Sequence, residues 1–225
     1  MGGDCTIAAS ATLPKDVAEL PKDLYVHAPD GSVFHDLQDG QVFQDSDGTM
    51  LLRVLHTPGH TADSIALHLP GDKALYTADT VLGYGTSVFE DLGSYLKSLK
   101  RLLDLDPNED GDYDTLYPGH GPVVEHGRET ISLYIQHRLD REKEILRVIR
   151  SPIPGDSNSE YWTTWDIVKV IYKDYPENLW LPACRSVELH LLKLQGDGLV
   201  RHIAGEGPEA KWESLQPNTD LEHDG

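Results

Sequence analysis

The sequence predicts an α/β protein in two parts: a strand-rich first part, and a small helix-helix-strand module joined to it by a linker. Three observations carry this. Asp-Gly pairs at Asp30-Gly31, Asp39-Gly40 and Asp47-Gly48 punctuate the opening stretch at regular spacing, as the turns of a β-meander do. Two later segments repeat apolar residues at helical offsets. Between them and the end of the chain, Ser151 to Ser159 has the Pro, Gly, Ser and Asn composition of a linker.

In order, short strands are expected at 24–27, 32–36 and 41–44, each next to an Asp-Gly turn. Met50 to His56, rich in Leu and Val, is a stronger strand. It stops at Thr57-Pro58-Gly59-His60, where Pro and Gly forbid both helix and ladder. Ser64 to Leu69 sets Ile65, Leu67 and Leu69 against Ser64, Ala66 and His68, a half-buried strand with the aliphatic residues on its apolar side. Pro70-Gly71-Asp72 turns it back into Ala74 to Thr77. Asp91 to Leu103 is an amphipathic helix, 104–114 an acidic loop and Thr115 to Tyr117 a short strand. Gly127 to Ile149 is one long helix whose 142–150 end alternates charge signs, the pattern of a solvated face. After the linker come a helix at Thr164 to Tyr172 with Thr164 as its cap, a helix at Val187 to Gln195, a Gly-Asp-Gly turn and a strand at Leu199 to Ile203. That order suggests a winged-helix-like module. The domains are therefore expected at 1–150 and 151–214, with a tail at 215–225.

Composition excludes several roles. The net charge is −19 over 225 residues, so the chain has no global field to gather polyanions. The second module carries ten acidic side chains to six basic ones, which argues against duplex DNA. It reads instead as a lid, a dimer surface or a substrate-shaping element, with Trp162, Trp165 and Trp180 as core. No apolar run approaches the roughly 18 residues of a bilayer span, so no membrane partner is expected. Cys5 and Cys184 cannot build a disulfide framework. The expected compartment is the cytoplasm, or the mitochondrial matrix if a preceding segment carries a transit peptide. There is no Gly-rich phosphate loop and no Gly-x-Ser-x-Gly elbow.

Chemistry concentrates in three short segments: Thr57-Pro58-Gly59-His60-Thr61, Thr77-Ala78-Asp79-Thr80 and Tyr117-Pro118-Gly119-His120-Gly121. Each places a His or an Asp just past a strand, where a rigid base projects it into a cleft. Imidazole nitrogen and carboxylate oxygen are donors that suit Zn²⁺. From spacing alone, His60, Asp79 and His120 are either metal ligands or ordinary turn residues, solvated or capping.

In this order, the three segments resemble the later metal motifs of the metallo-β-lactamase superfamily. Thr80 to Leu92, Tyr117 to Val123, Tyr134-Ile135-Gln136-His137-Arg138, Ile171-Tyr172-Lys173 and Pro176-Glu177-Asn178-Leu179 narrow the resemblance. They are similar to the branch that contains the endoribonuclease beta-lactamase-like protein two and the fungal lactamase-type thioesterases of polyketide pathways. The resemblance runs from about Leu51 to Trp212. It implies an αββα sandwich followed by a winged-helix-like domain, and two zinc ions at the strand ends. It also implies His60 on the first zinc, Asp79 bridging both and His120 on the second. The water between them would be a hydroxide near neutral pH that attacks a phosphodiester, thioester or amide centre.

The family's hallmark His-x-His-x-Asp-His run is absent: no two His are separated by one residue. Gly2-Gly3 resembles the Gly-Gly that follows that run in the family. The sequence is therefore expected to start just after the motif, with Met1 an artefact of gene-model choice or an internal start and the run encoded upstream. The first sheet of the sandwich is expected to be incomplete. An apolar face and a strand edge left uncovered would then favour aggregation or a homo-oligomer. Three ligands for two zinc ions predict weak, sub-stoichiometric binding. Three functions follow: a zinc hydrolase of single-stranded RNA, a hydrolase of small-molecule thioesters with the same metal chemistry, and an inactive truncated product.

Overall fold

The computed structural model describes residues 37–108, 111–153 and 161–215. The strands expected at 24–27 and 32–36, most of the linker and all but the first residue of the tail lie outside the described residues. The chain divides into two compact units, residues 1–90 with 94–132, and residues 91–93 with 133–225.

In the first unit, β1 (Val42–Gln44), β2 (Leu51–His56), β3 (Ile65–Leu69), β4 (Ala74–Ala78) and β5 (Thr115–Pro118) form one sheet in that order. The first three joints are antiparallel, and β4 and β5 pair in parallel. A parallel pair needs a crossover, and α1 (Leu92–Leu103) supplies it. The register places Leu55 opposite Ala66, His68 opposite Leu75 and Leu75 opposite Leu116. All five lie on one face and are at most 2% exposed. The opposite face carries Leu67, Tyr76 and Tyr117 in register, and both tyrosines are exposed.

The facing of β3 is therefore the reverse of the one its sequence suggests. Ala66 and His68 are buried, and Ile65, Leu67 and Leu69 are only half-buried. His68 goes inside because its polar edge is met there. Its Nε2 lies 3.3 Å from the Asp112 carbonyl oxygen, and the Tyr113 ring stands edge-on to it at 6.5 Å. The Tyr113 hydroxyl donates to Leu102 of α1, which ties this face to the crossover helix. Burial holds that phenol up at about 12. On α1 itself Leu92, Leu96, Leu99 and Leu102 are buried, as the helical offsets predict.

Helix α2 (Gly127–Ile149) has the predicted bounds, and its residues from Leu133 on belong to the second unit. There follow β6 (Trp162–Thr163), α3 (Thr164–Ile171), α4 (Trp180–Gly196), β7 (Val200–Ala204) and β8 (Lys211–Ser214). The three strands order as β6-β8-β7. Trp162, Ile167, Leu191 and Trp212 are among the buried side chains of its core, with Trp165 and Trp180 packed at its margin.

Three expectations change in this unit. The cap of α3 is Thr163, whose hydroxyl accepts from the Asp166 amide at 3.0 Å. Thr164 is fully buried inside the helix, and there it accepts a hydrogen bond from the Trp212 indole. Helix α4 begins seven residues early, because Pro182 falls in its first turn, where a missing N–H costs nothing. The 142–150 end of α2 is not simply solvated. Glu142 is 7% exposed and bonds Lys193 at 2.7 Å, and the Arg141 guanidinium lies over the Tyr172 ring.

Glu142 belongs to a buried polar patch between α2 and α4. Burial opposes the Lys193 charge, but hydrogen bonds to Asp197 and Glu142 hold its ammonium above the usual lysine range. His190, 1% exposed, goes the other way. Burial first, and then the cations of Arg138, Arg141, His137 and Lys193, push its imidazole down to about 3. A neutral His190 in the fold and a protonated one in the unfolded chain make stability fall as the pH drops from about 6.5 toward 3. We expect His190→Leu to flatten that acid limb, lowering its slope by about 1.4 kcal/mol per pH unit. Urea melts of both proteins at pH 7 and pH 5 measure it, and parallel pH dependences would contradict it.

Candidate metal centre

The three predicted turns come together at one edge of the five-stranded sheet. His60 follows β2, Asp79 follows β4 and His120 follows β5. Because β4 and β5 are parallel, both finish at the same edge, with Ala78 in register with Pro118. The Gly119 amide donates to the Ala78 carbonyl at 2.8 Å and carries the pairing one step further. Ala78 itself sits at φ +44°, a left-handed conformation that costs an L residue roughly 1–2 kcal/mol.

The Asp79 carboxylate lies between the two imidazoles. Its Oδ2 is 3.8 Å from His60 Nε2, and its Oδ1 is 3.6 Å from His120 Nε2. Both distances exceed a hydrogen bond. They come near the spacing of about 3.4 Å between two donors that each stand ~2.1 Å from one tetrahedral ion. His60 Nδ1 lies 2.9 Å from the Val88 carbonyl. That oxygen only accepts, so Nδ1 carries the proton and the Nε2 lone pair is left for the gap. These donors fit a metal. Among the described residues, no three of His, Cys, Asp and Glu form a group that could hold a metal ion. The arrangement is two His–Asp pairs that share Asp79.

Helix α1 fixes the turns that carry two of these ligands. The Tyr95 hydroxyl donates to Thr80 O at 2.6 Å, Ser98 to Pro58 O at 2.7 Å and Arg101 to His56 O at 2.9 Å. The three donors recur every third residue along one face. Asp39 completes the brace: it accepts from the His56 amide at 2.8 Å and pairs with Arg101 at 2.9 Å. Burial opposes its charge, but the His56 amide and the Arg101 guanidinium hold its carboxyl below the usual range. Glycines let the turns approach. A Cβ on Gly59 would stand 2.3 Å from Tyr95 Cα, and one on Gly119 would stand 2.5 Å from Asp79 Oδ1. Tyr95 counts with the apolar side of this helix in the sequence, and the roles of Ser98 and Arg101 have no local signal, because the carbonyls they meet lie in distant turns.

Residues 9–120 match the family model described as the metallo-beta-lactamase superfamily, and residues 163–212 match the one described as the beta-lactamase associated winged helix domain. The chain belongs to the metallo-beta-lactamase superfamily. Its fold class is the expected one, an α/β metallo-beta-lactamase fold followed by a winged-helix domain. The beta-lactamase-like protein 2 homolog of Drosophila melanogaster is 39% identical over 189 residues, 84% of this chain and 57% of that protein. The atrochrysone carboxyl ACP thioesterase of Aspergillus chevalieri is 34% identical over 182 residues, 80% of this chain and 56% of that protein. The chain thus spans a little over half the length of these curated relatives. A solved beta-lactamase domain protein from Burkholderia ambifaria superposes with a TM-score of 0.64 at 20% identity, covering 80% of this chain and 52% of that one. That likeness is one of fold. Metallo-beta-lactamase superfamily proteins are typically metal-dependent hydrolases, and the donor set around Asp79 suits that chemistry.

Proposed function

We propose that the chain carries part of a zinc-dependent hydrolase site that opens phosphodiester bonds of single-stranded RNA. The observation behind it is the Asp79 carboxylate set between two imidazoles, one with its lone pair already aimed. The nucleic-acid half of the reading rests on the motif resemblance to the branch that contains an endoribonuclease, and the chain is 39% identical to a beta-lactamase-like protein 2 homolog against 34% to the fungal thioesterase. Zinc, when bound, supplies an acidified water and a Lewis acid for the departing oxygen.

The protein's own residues have simpler tasks. His60 offers Nε2, while Val88 holds its other nitrogen. Asp79 offers one oxygen to each side, so the two halves of the site keep a common distance. The side chain of His120 is 77% exposed, so the substrate can approach at that end. In the net reaction, water adds across the P–O bond: its oxygen stays on phosphorus and its proton goes to the leaving ribose oxygen. The second reading, thioester hydrolysis, is favoured by the name of the Aspergillus relative and would use the same donors.

The test uses the purified chain with added zinc, a single-stranded oligoribonucleotide and an acyl thioester. RNA cleavage that stops with a chelator and with Asp79→Asn is expected. Chelator-sensitive thioester cleavage alone would favour the second reading, and cleavage of neither would count against both. Elemental analysis after dialysis is expected to give fewer than two zinc ions per chain, because the described site offers only three donor side chains. Two tightly held ions would show that further ligands complete it.

A further inference from the structure

Among the described residues, the two most exposed large apolar side chains stand on one short segment beside the metal centre. Tyr84 is 76% exposed and Val88 is 73% exposed. The segment is anchored at both ends. At one end the Gly83 amide donates to His120 O at 2.9 Å. At the other, the Ser87 hydroxyl reaches Asp79 O at 2.5 Å, and Val88 O takes the His60 Nδ1 proton at 2.9 Å. The segment thus holds two exposed apolar side chains in fixed places beside the candidate site, and ligand sites are lined mainly by apolar and aromatic side chains around a few polar groups. Its place identifies the ligand as substrate. Tyr84 follows the glycine that is bonded to the His120 turn, and Val88 bears the carbonyl that orients His60.

The neighbours of Tyr84 describe the shape of the partner. Glycines flank it on both sides, and a Cβ built on Gly85 would meet nothing within 4 Å. An exposed ring on an uncrowded backbone suits a flat group. An aromatic face stacks any nucleobase and is tolerant of sequence. An acyl chain needs no flat face and would be served as well by leucine.

We propose that Tyr84 is a specificity-determining residue of this site, stacking an unpaired nucleobase next to the phosphate to be cleaved; this rests on the single-stranded RNA reading above. The test measures fluorescence anisotropy of a labelled 2′-O-methyl oligouridine of about eight nucleotides, within the span such grooves cover. A chelator is present throughout, so that binding is read without turnover. The full chain is compared with Tyr84→Phe, Tyr84→Leu and Tyr84→Ala, and their melting temperatures are expected to match because the side chain is exposed. Tyr84→Ala and Tyr84→Leu are both expected to weaken binding by about tenfold or more, and Tyr84→Phe by no more than about twofold. Undiminished binding by Tyr84→Ala would overturn the role of Tyr84 and leave the RNA reading standing. Full binding by Tyr84→Leu with loss in Tyr84→Ala would overturn stacking in favour of plain apolar contact. No oligonucleotide binding by the unsubstituted chain would overturn the RNA reading, and the proposal with it.

Discussion

Replacing Gly119 with alanine is expected to cut hydrolysis by about 100-fold while leaving the melting temperature nearly unchanged. The new methyl would stand 2.5 Å from Asp79 Oδ1, a distance no real contact tolerates. Its next neighbours are Ala78 C at 3.2 Å and Ala78 O at 3.4 Å, which the ladder bond from the Gly119 amide holds in place. The carboxylate therefore has to swing away, and the shared distance to His60 and His120 goes with it. Gly119 does not need a positive φ, so no backbone strain accompanies the change. Rates of the proposed hydrolysis, set beside zinc uptake and a thermal melt, separate a displaced carboxylate from a failed fold. Normal activity in Gly119→Ala would mean that Asp79 does not sit where the chemistry happens.

Gly59→Ala is expected to do the reverse, striking the fold first. Its Cβ would meet Tyr95 Cα at 2.3 Å and Tyr95 N at 2.4 Å, both main-chain atoms of α1. Gly59 also sits at φ +136°, where an L residue is strained. Neither partner can turn aside as the end of a long side chain can, so helix and turn must separate. A loss of about 3 kcal/mol or more follows, or roughly 10 °C in melting temperature for a chain of this size. Circular dichroism melts measure it, and a shift of under two degrees would show that the turn relaxes freely.

Much of this architecture was legible from local pattern. Strands β2 to β5, helix α1 and both bounds of α2 follow from apolar period and from Pro-Gly stops, which act within a few residues. The turns that carry His60, Asp79 and His120 were legible for the same reason: each is a strand end followed by a sharp turn. The sequence was misleading wherever a distant partner decided the outcome. Ala66 and His68 outrank Ile65 and Leu67 for burial because Asp112 and Tyr113, more than forty residues on, receive the histidine. Thr163 takes the cap from Thr164 because Trp212 claims the Thr164 hydroxyl from the far strand. Strand β8, only four residues long after a Gly-Pro turn, shows no run long enough to declare itself and is defined by its ladder with β7. The brace from α1 was out of reach too. Spacing can group Tyr95, Ser98 and Arg101 on a face, but it cannot say which carbonyls lie opposite.

The parallel pairing of β4 and β5 gives the site a built-in ruler. Neighbouring strands stand about 4.8 Å apart wherever a ladder forms, and Asp79 and His120 lie one and two residues past the last paired rung, Ala78 with Pro118. The interval between their turns is thus inherited from the backbone and owes little to the side chains around it. The Tyr84 to Val88 segment, by contrast, hangs from that frame by main-chain bonds at its two ends. Its exposed side chains, Tyr84 and Val88, can be exchanged over evolutionary time without resetting the ruler, whereas buried Ser87, whose hydroxyl holds the Asp79 carbonyl, belongs to the frame.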